Sequence, residues 1–135
     1  MRIGVVVNPD AGLGGKLGFK GSDGRAAEAR AAGAEDRAGP RMAQALESLC
    51  VLLSGSLNRN DARITLVGWE GRMGSSWVKN LNSHLAFQSI GITPETTSDH
   101  DTHNLVNDLV KAEVEAIVYA GGDGTTRDIV NALES

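Results

Sequence analysis

Aromatic residues, cysteine and long apolar runs are all scarce in this 135-residue sequence, and each shortage excludes a class of protein. Aromatic residues make up only 4% of the chain, so the core must be built from aliphatic side chains and alanine. The single cysteine, Cys50, cannot form an internal disulfide, which fits a reducing compartment. No apolar run approaches the roughly 20 residues of a membrane-spanning helix, and the first residues lack the layout of a signal peptide. We therefore expect a cytoplasmic protein that does not bind a membrane.

Positive charge is also in short supply. Thirteen Lys and Arg residues stand against 17 Asp and Glu residues, which gives a net charge of −4. Because a nucleic-acid-binding surface is normally basic, this balance argues against a nucleic-acid partner. Small anionic ligands are compatible with it, since backbone dipoles and a few basic side chains are enough to bind them.

Glycine, in contrast, is abundant, and many of the 17 glycines lie in two clusters, at residues 12–24 and 121–124. The second cluster, Gly121-Gly122-Asp123-Gly124-Thr125, lies between an apolar run and a helical pattern. This order predicts a strand, a glycine turn and a helix, and the free N–H groups at such a helix start favour a phosphate group. A carboxylate repels phosphate, so the aspartate inside the turn indicates either a metal contact or a proton acceptor beside the phosphates.

Strand and helix patterns alternate along the chain. The sequence predicts strands over 2–8, 62–68, 86–92 and 115–120, and helices over 40–54, 74–84, 99–113 and from near Thr125 onward. This alternation indicates an α/β fold with three layers and an open, mainly parallel, Rossmann-like sheet. Ligands of such sheets bind at the carboxyl ends of the strands. The glycine-rich loop 9–24 and the glycine turn each follow a strand, so we expect both at that edge of the sheet.

Two stretches of the sequence resemble a known superfamily. The run GGDGT at 121–125 resembles the signature shared by NAD kinases, diacylglycerol and sphingosine kinases, and bacterial 6-phosphofructokinases. The run NPDAGLGGKLGFKGSDG at 8–24 is similar to the opening of the ATP-NAD kinase-like proteins related to acetoin-catabolism protein X. The resemblance covers both ends of the chain and the order of strands and helices between them, whereas residues 25–60 are not diagnostic.

The resemblance implies a chemistry and a set of residues for it. It implies a kinase of NADP biosynthesis that uses ATP, or polyphosphate, with Mg²⁺ and with NAD as the acceptor. It assigns Asp123 to catalysis, near the acceptor hydroxyl, as proton acceptor or as its electrostatic partner. It assigns nucleotide or phosphate contacts to the two loops, at Asn8, Gly12, Gly14, Gly15, Gly121, Gly122, Gly124 and Thr125. No metal-ligating residue is assigned.

The resemblance also concerns the extent of the domain. Family members continue into a β-rich C-terminal domain that supplies much of the nucleotide site, and these 135 residues include no such domain. We therefore expect one nucleotide-binding domain over 1–135, with weak or no turnover by itself, that forms a homo-oligomer. Two other functions stay open, namely a non-catalytic oligomerisation or regulatory domain, and a lipid or sugar kinase domain of the same superfamily.

Some polar residues have both a functional and a structural interpretation. Lys16 and Lys20, in the glycine-rich loop, either hold phosphates or are solvated charges. His100 and His103 have the spacing of some metal ligands, but no third ligand lies nearby in the sequence. We interpret this pair as the exposed start of a helix.

Overall fold

A four-stranded parallel sheet with helices on both faces forms the described part of the chain. The computed structural model describes residues 1–13, 26–31, 33, 35–54, 63–79, 81 and 85–135. The strands are β1 (Arg2–Val7), β2 (Ile64–Glu70), β3 (Leu85–Ile92) and β4 (Ala116–Ala120), arranged in the order β3-β2-β1-β4. The helices are α1 (Ala26–Ala31), α2 (Ala38–Ser54), α3 (Asp99–Lys111) and α4 (Asp123–Glu134), with a 3₁₀ turn over Ser75–Trp77. This arrangement confirms the predicted fold class.

Each face of the sheet has its own apolar core. Val5 and Val7 of β1 face α2, whereas Val6 between them faces α3 and α4, and all three are fully buried. A strand covered on both faces needs apolar residues at consecutive positions, which is why β1 is a continuous apolar run. The α2 face is filled by Met42, Leu46, Cys50 and Leu66, and the opposite face by Val67, Leu105, Leu109 and Ile129.

The order of the strands reverses between β1 and β4. The chain adds β2 and then β3 on one side of β1, and then returns to add β4 on the other side. The intervening helices pack on opposite faces, with α2 on one and α3 on the other. Such a reversal leaves a crevice outside the carboxyl ends of the two adjacent strands, which is where open α/β sheets bind ligands.

The boundaries of three elements differ from the sequence-based expectation by about one helical turn or less. Helix α2 begins at Ala38, two residues before the predicted start at Pro40. Strand β2 continues to Glu70, because Trp69 is buried and its Nε1 donates a hydrogen bond to Asp108 of α3 at 2.9 Å. Helix α4 begins at Asp123 instead of near Thr125, which places the aspartate on the helix itself.

The predicted helix over 74–84 is wrong. The structure has only the 3₁₀ turn, and Val78 after it is extended, with φ −99° and ψ 99°. The indole of Trp77 stops the helix, because its Nε1 donates to the carbonyl of Arg72 at 2.7 Å and its ring packs directly on Gly39 of α2. Residues 80 and 82–84 lie outside the described part of the chain.

One side of the sheet carries exposed apolar surface. Strand β4 is the outermost described strand on this side, and a groove of about 450 Å³ lies beside it. Val110, Tyr119, Val130 and Leu133 line this groove and are 39% to 52% exposed. Among the described residues, no helix has the length and apolar character needed to span a membrane.

Candidate functional site

Two loops meet at the carboxyl edge of the sheet, on either side of the crevice between β1 and β4. We call residues 8–13 the β1 loop and residues 121–125 the β4 turn. The backbone N–H of Asn8 donates to the carbonyl of Ala120 at 3.0 Å, and the Asn8 Nδ2 donates to the Thr125 Oγ1 at 2.9 Å. The prediction that both loops share one edge is therefore confirmed for the described part of the first loop.

The β4 turn has one closed side and one open side. Thr125 is 3% exposed and lies directly beneath Gly121, where an added Cβ would lie 2.6 Å from the Thr125 Cβ. Gly122, in contrast, has no heavy atom of a described residue within 4 Å of an added Cβ. Its φ of −100° and ψ of −163° are extended values that any residue adopts. Packing therefore explains glycine at 121, whereas neither packing nor backbone conformation explains it at 122.

Asp123 is the first residue of α4 and follows the N-cap residue Gly122. Its side chain is exposed, and among the described residues it forms no hydrogen bond and no ion pair. A carboxylate in the first turn of a helix is stabilised by the helix dipole without any capping bond. The helix thus fixes the backbone of Asp123, and its carboxylate is exposed beside Gly122.

The β1 loop, unlike the β4 turn, is held by a network of charged residues. Arg30 of α1 donates to Asp10 at 3.0 Å and to Asp36 at 2.8 Å, and Arg72, which follows β2, donates to Asp36 at 3.3 Å. Thr97, which follows β3, donates to the second oxygen of Asp10 at 3.2 Å. This network joins the loops that follow three different strands into one rim.

The network shifts the pKa of two of its members. Burial raises the pKa of Asp36, but the hydrogen bonds and charges of Arg30 and Arg72 outweigh it and hold this pKa below its usual value. Burial lowers the pKa of Arg30, but its hydrogen bonds to Asp36 and Asp10 outweigh that effect and raise it. Both shifts stabilise the charged forms, so Arg30 and Asp36 stay ionised at neutral pH.

A groove of about 430 Å³ opens between the β1 loop, the β4 turn and the start of α2. Gly12, Gly121 and Gly122 line it, together with two arginines, Arg37 and Arg41. Gly12 has φ +78°, a conformation that favours glycine, and the aliphatic part of the Arg37 side chain lies against it. The groove therefore joins both glycine-rich segments to a source of positive charge.

Neither arginine was expected from the sequence, because no motif covers the alanine-rich stretch in which they lie. The available signal was their spacing of four residues across the start of a predicted helix, which places both side chains on one helix face. Residues four apart on a helix are neighbours, so the pair forms a single patch of charge.

The predicted binding residues fall into three groups. Gly12, Gly121 and Gly122 line the groove, and Gly124 lies in the first turn of α4. Asn8 and Thr125 lie behind the turn, where they bind each other and position it, so their predicted contact with phosphate stays a prediction. Gly14, Gly15, Lys16 and Lys20 lie outside the described residues.

The aspartates and histidines in the described part of the chain do not gather into a protein-only metal site. Across the described ranges, no three His, Cys, Asp or Glu side chains come close enough to hold a metal ion. His100 is exposed on the first turn of α3, where Ser98 and Asp101 form a capping box. This position is that of an exposed helix start, as interpreted from the sequence.

Comparison with known protein families agrees with this geometry. The family model described as the ATP-NAD kinase N-terminal domain matches residues 3–135, which include β2, β3, β4, all of β1 except Arg2, the β1 loop and the β4 turn. Comparison with curated proteins and with solved structures found no significant match. The family match thus covers nearly the whole chain and both loops that meet at the crevice.

Proposed function

Because the chain belongs to the ATP-NAD kinase N-terminal domain family, we propose that it binds a nucleotide in the crevice between β1 and β4 and serves phosphoryl transfer to a hydroxyl of NAD or of a related small molecule. The observation that carries this proposal is the open side of the β4 turn. Gly122 offers its backbone to solvent, and the exposed carboxylate of Asp123 stands next to it. This combination suits a phosphate group with a reacting hydroxyl beside it.

Backbone N–H groups of the β4 turn bind the phosphates in this proposal. The first intrahelical bond of α4 runs from the Thr126 N–H to the carbonyl of Gly122 at 3.1 Å. The four N–H groups before it have no partner within the helix, namely those of Gly122, Asp123, Gly124 and Thr125. Unpaired N–H groups at the positive end of a helix are a ready site for an anion. The absence of a side chain at 122 lets phosphate oxygens approach the backbone closely.

Asp123 acts on the acceptor. The acceptor hydroxyl oxygen forms a bond to the transferred phosphorus while the bond from phosphorus to the leaving phosphate oxygen breaks. The proton of the hydroxyl passes to the Asp123 carboxylate, which also orients the hydroxyl beforehand. Phosphoryl transfer depends mainly on positioning and on charge stabilisation, so an exposed carboxylate on a rigid helix start is sufficient for this role.

Magnesium is the cofactor that this chemistry calls for, with ATP or polyphosphate as the donor. Mg²⁺ is commonly held by one or two carboxylates together with substrate phosphates and water, and the single exposed carboxylate of Asp123 fits such a site. When bound, Mg²⁺ neutralises charge on the phosphate chain. A contact of Mg²⁺ with Asp123 would be the alternative to its role as proton acceptor, and the ion would otherwise be held by substrate phosphates and water.

Replacing Asp123 tests the proposal. In Asp123→Ala we expect the rate of NADP formation from NAD, ATP and Mg²⁺ to fall by roughly 10²- to 10⁴-fold, the usual contribution of a general base. Product formation is followed by a coupled assay, in this chain and in any longer polypeptide that contains it. Glu134→Gln, which removes an exposed charge at the other end of α4, is the control and should leave the rate unchanged. Undiminished product formation in Asp123→Ala would remove this residue from the chemistry.

Two further assays separate the proposal from the other functions in view. Product analysis with NAD, lipid and sugar acceptors identifies the acceptor, because the β4 turn does not encode it. Sedimentation velocity with and without ATP and Mg²⁺ addresses the oligomerisation function, which the exposed apolar groove beside β4 favours. A stable oligomer that binds neither NAD nor ATP would favour that function over phosphoryl transfer.

A further inference from the structure

Arg37 and Arg41 form a patch of positive charge, and no side chain of a described residue forms an ion pair with it. Both side chains are exposed, and neither makes a side-chain hydrogen bond or an ion pair with a described residue. The Arg41 N–H bonds to the carbonyl of Arg37 at 3.3 Å, so the two residues stand one helical turn apart on the same face. Like charges at this spacing repel each other, and an anion between them would relieve the repulsion.

The carboxylates nearest in the sequence do not neutralise this patch. Asp36 directs its carboxylate to Arg30 and Arg72 instead, at 2.8 Å and 3.3 Å. The first turn of α2 contains no acidic residue. No carboxylate of a described residue therefore pairs with either arginine.

The same groove is also lined by the open side of the β4 turn. Gly121 and Gly122 line the groove together with the arginine pair, and Gly12 of the β1 loop lies against the Arg37 side chain. A groove that joins the unpaired backbone N–H groups of the β4 turn to two arginines suits a ligand with negative charge along its length. Guanidinium groups bind phosphate through paired hydrogen bonds, which makes arginine the suitable cation for this purpose.

We propose that Arg37 and Arg41 bind a chain of linked phosphates whose other end lies on the β4 turn. This inference rests on the proposed function and deepens it, because it assigns the phosphate chain to the groove between α2 and β4. The apolar wall of the groove, which includes Ala45 and Val118, offers a surface for a base attached to that chain. The chain belongs either to a nucleoside triphosphate or to inorganic polyphosphate, and the two sources share the same chemistry.

Isothermal titration calorimetry with inorganic triphosphate, orthophosphate and ATP tests this inference on the 135-residue chain. We expect triphosphate to bind more tightly than orthophosphate, and each of Arg37→Gln and Arg41→Gln to weaken triphosphate binding roughly tenfold, the effect of losing one charge-assisted interaction. The Arg37→Lys/Arg41→Lys double variant keeps both charges and should bind more tightly than the matching glutamine double variant. Arg63→Gln, at the amino edge of the sheet, makes the same charge change away from the groove and should alter affinity less than about twofold.

Thermal denaturation distinguishes a loss of binding from a folding defect. Without ligand, the two glutamine variants should melt at or slightly above the temperature of the unmodified chain, because the repulsion between the arginines is gone. With triphosphate, the unmodified chain should gain thermal stability and the double glutamine variant should not. A double variant that unfolds without ligand would assign the arginines to the fold and overturn the inference.

The outcomes for the inference and for the proposed function are separable. In one outcome, triphosphate and ATP bind the arginine variants as tightly as they bind Arg63→Gln, but bind Gly122→Ala more weakly. This outcome would overturn the inference and leave the proposed function standing. Arginine-dependent binding, together with undiminished product formation in Asp123→Ala, would support the inference and count against the proposed function. Failure of all three anions to bind would overturn the inference. Tighter binding of ATP than of triphosphate would identify the source as a nucleotide, and equal affinity would identify it as inorganic polyphosphate.

Discussion

The β1 loop and the β4 turn lie side by side at the same edge of the sheet, yet their polar groups are used in opposite ways. In the β1 loop, Asn8 and Asp10 are bonded to neighbours from α1, α4 and the loop after β3. In the β4 turn, no described atom lies within 4 Å of a Cβ added at Gly122, and the side chain of Asp123 contacts no described partner. The polar side chains of the β1 loop are committed to the structure, whereas the open side of the β4 turn, at Gly122 and Asp123, presents its polar groups to solvent.

The difference separates positioning residues from residues that meet a ligand. A polar group whose hydrogen bonds are all made within the protein contributes to stability, and its removal leaves a partner unsatisfied. A polar group without a partner contributes little to stability and has its capacity left for a ligand. Substitutions in the β1 loop should therefore change the free energy of unfolding, and substitutions on the open side of the β4 turn should change binding instead.

Asn8→Ala should give the largest change in stability. It removes the donor to the buried Thr125 hydroxyl at 2.9 Å and the acceptor for the Asp10 N–H at 3.2 Å. We expect the free energy of unfolding to fall by about 1–3 kcal/mol, the cost of leaving a buried polar group without its partner. Urea denaturation followed by circular dichroism measures this change.

Asn107→Ala on the exposed face of α3 is the matched control for this substitution, and its effect should lie within about 0.5 kcal/mol. Equal effects of the two substitutions would show that the bond between the loops does not hold them together. In that case the proposed difference between the β1 loop, which stabilises the fold, and the open side of the β4 turn, which does not, would be wrong.

The sequence predicted the fold and the meeting of the two loops because both depend on local patterns. Apolar runs and glycine signals identified the strands, and the rule for parallel sheets placed both loops at one edge. Arg37 and Arg41 were missed because their role depends on where α2 packs against the sheet, which no local pattern records. The helix over 74–84 was predicted wrongly for the same reason, since the contact of Trp77 with Gly39 joins distant parts of the chain.

The ion-pair network on the β1 loop should produce a smaller, pH-dependent effect. Because the folded-state pKa of Asp36 lies below its usual value, its ion pairs stabilise the fold above the unfolded-state pKa of about 3.9. This contribution is lost as the pH falls from about 5 through the folded-state pKa. In Asp36→Asn, the free energy of unfolding should fall at pH 7 by about 1 kcal/mol or less and should vary less between pH 5 and pH 3.

Denaturation of this variant at several pH values measures the effect, with Glu47→Gln on the exposed side of α2 as the control. The control removes one carboxylate that has no described partner, so its curve should run parallel to that of the unmodified chain. Parallel curves for Asp36→Asn as well would show that Arg30 and Arg72 contribute nothing to stability through this carboxylate.

Gly122→Ala should change stability least and separates the two regions most clearly. The added Cβ meets no described atom, and the backbone is already extended, so the free energy of unfolding should change by no more than about 0.5 kcal/mol. Affinity for triphosphate should nevertheless fall, because the methyl group stands where phosphate oxygens approach the backbone. Gly121→Ala is the contrasting variant, since its Cβ would overlap Thr125 and destabilise the fold by about 1–3 kcal/mol. If Gly122→Ala bound triphosphate as tightly as the unmodified chain, the open side of the turn would not be the phosphate site, and glycine at this position would have no explanation in ligand binding.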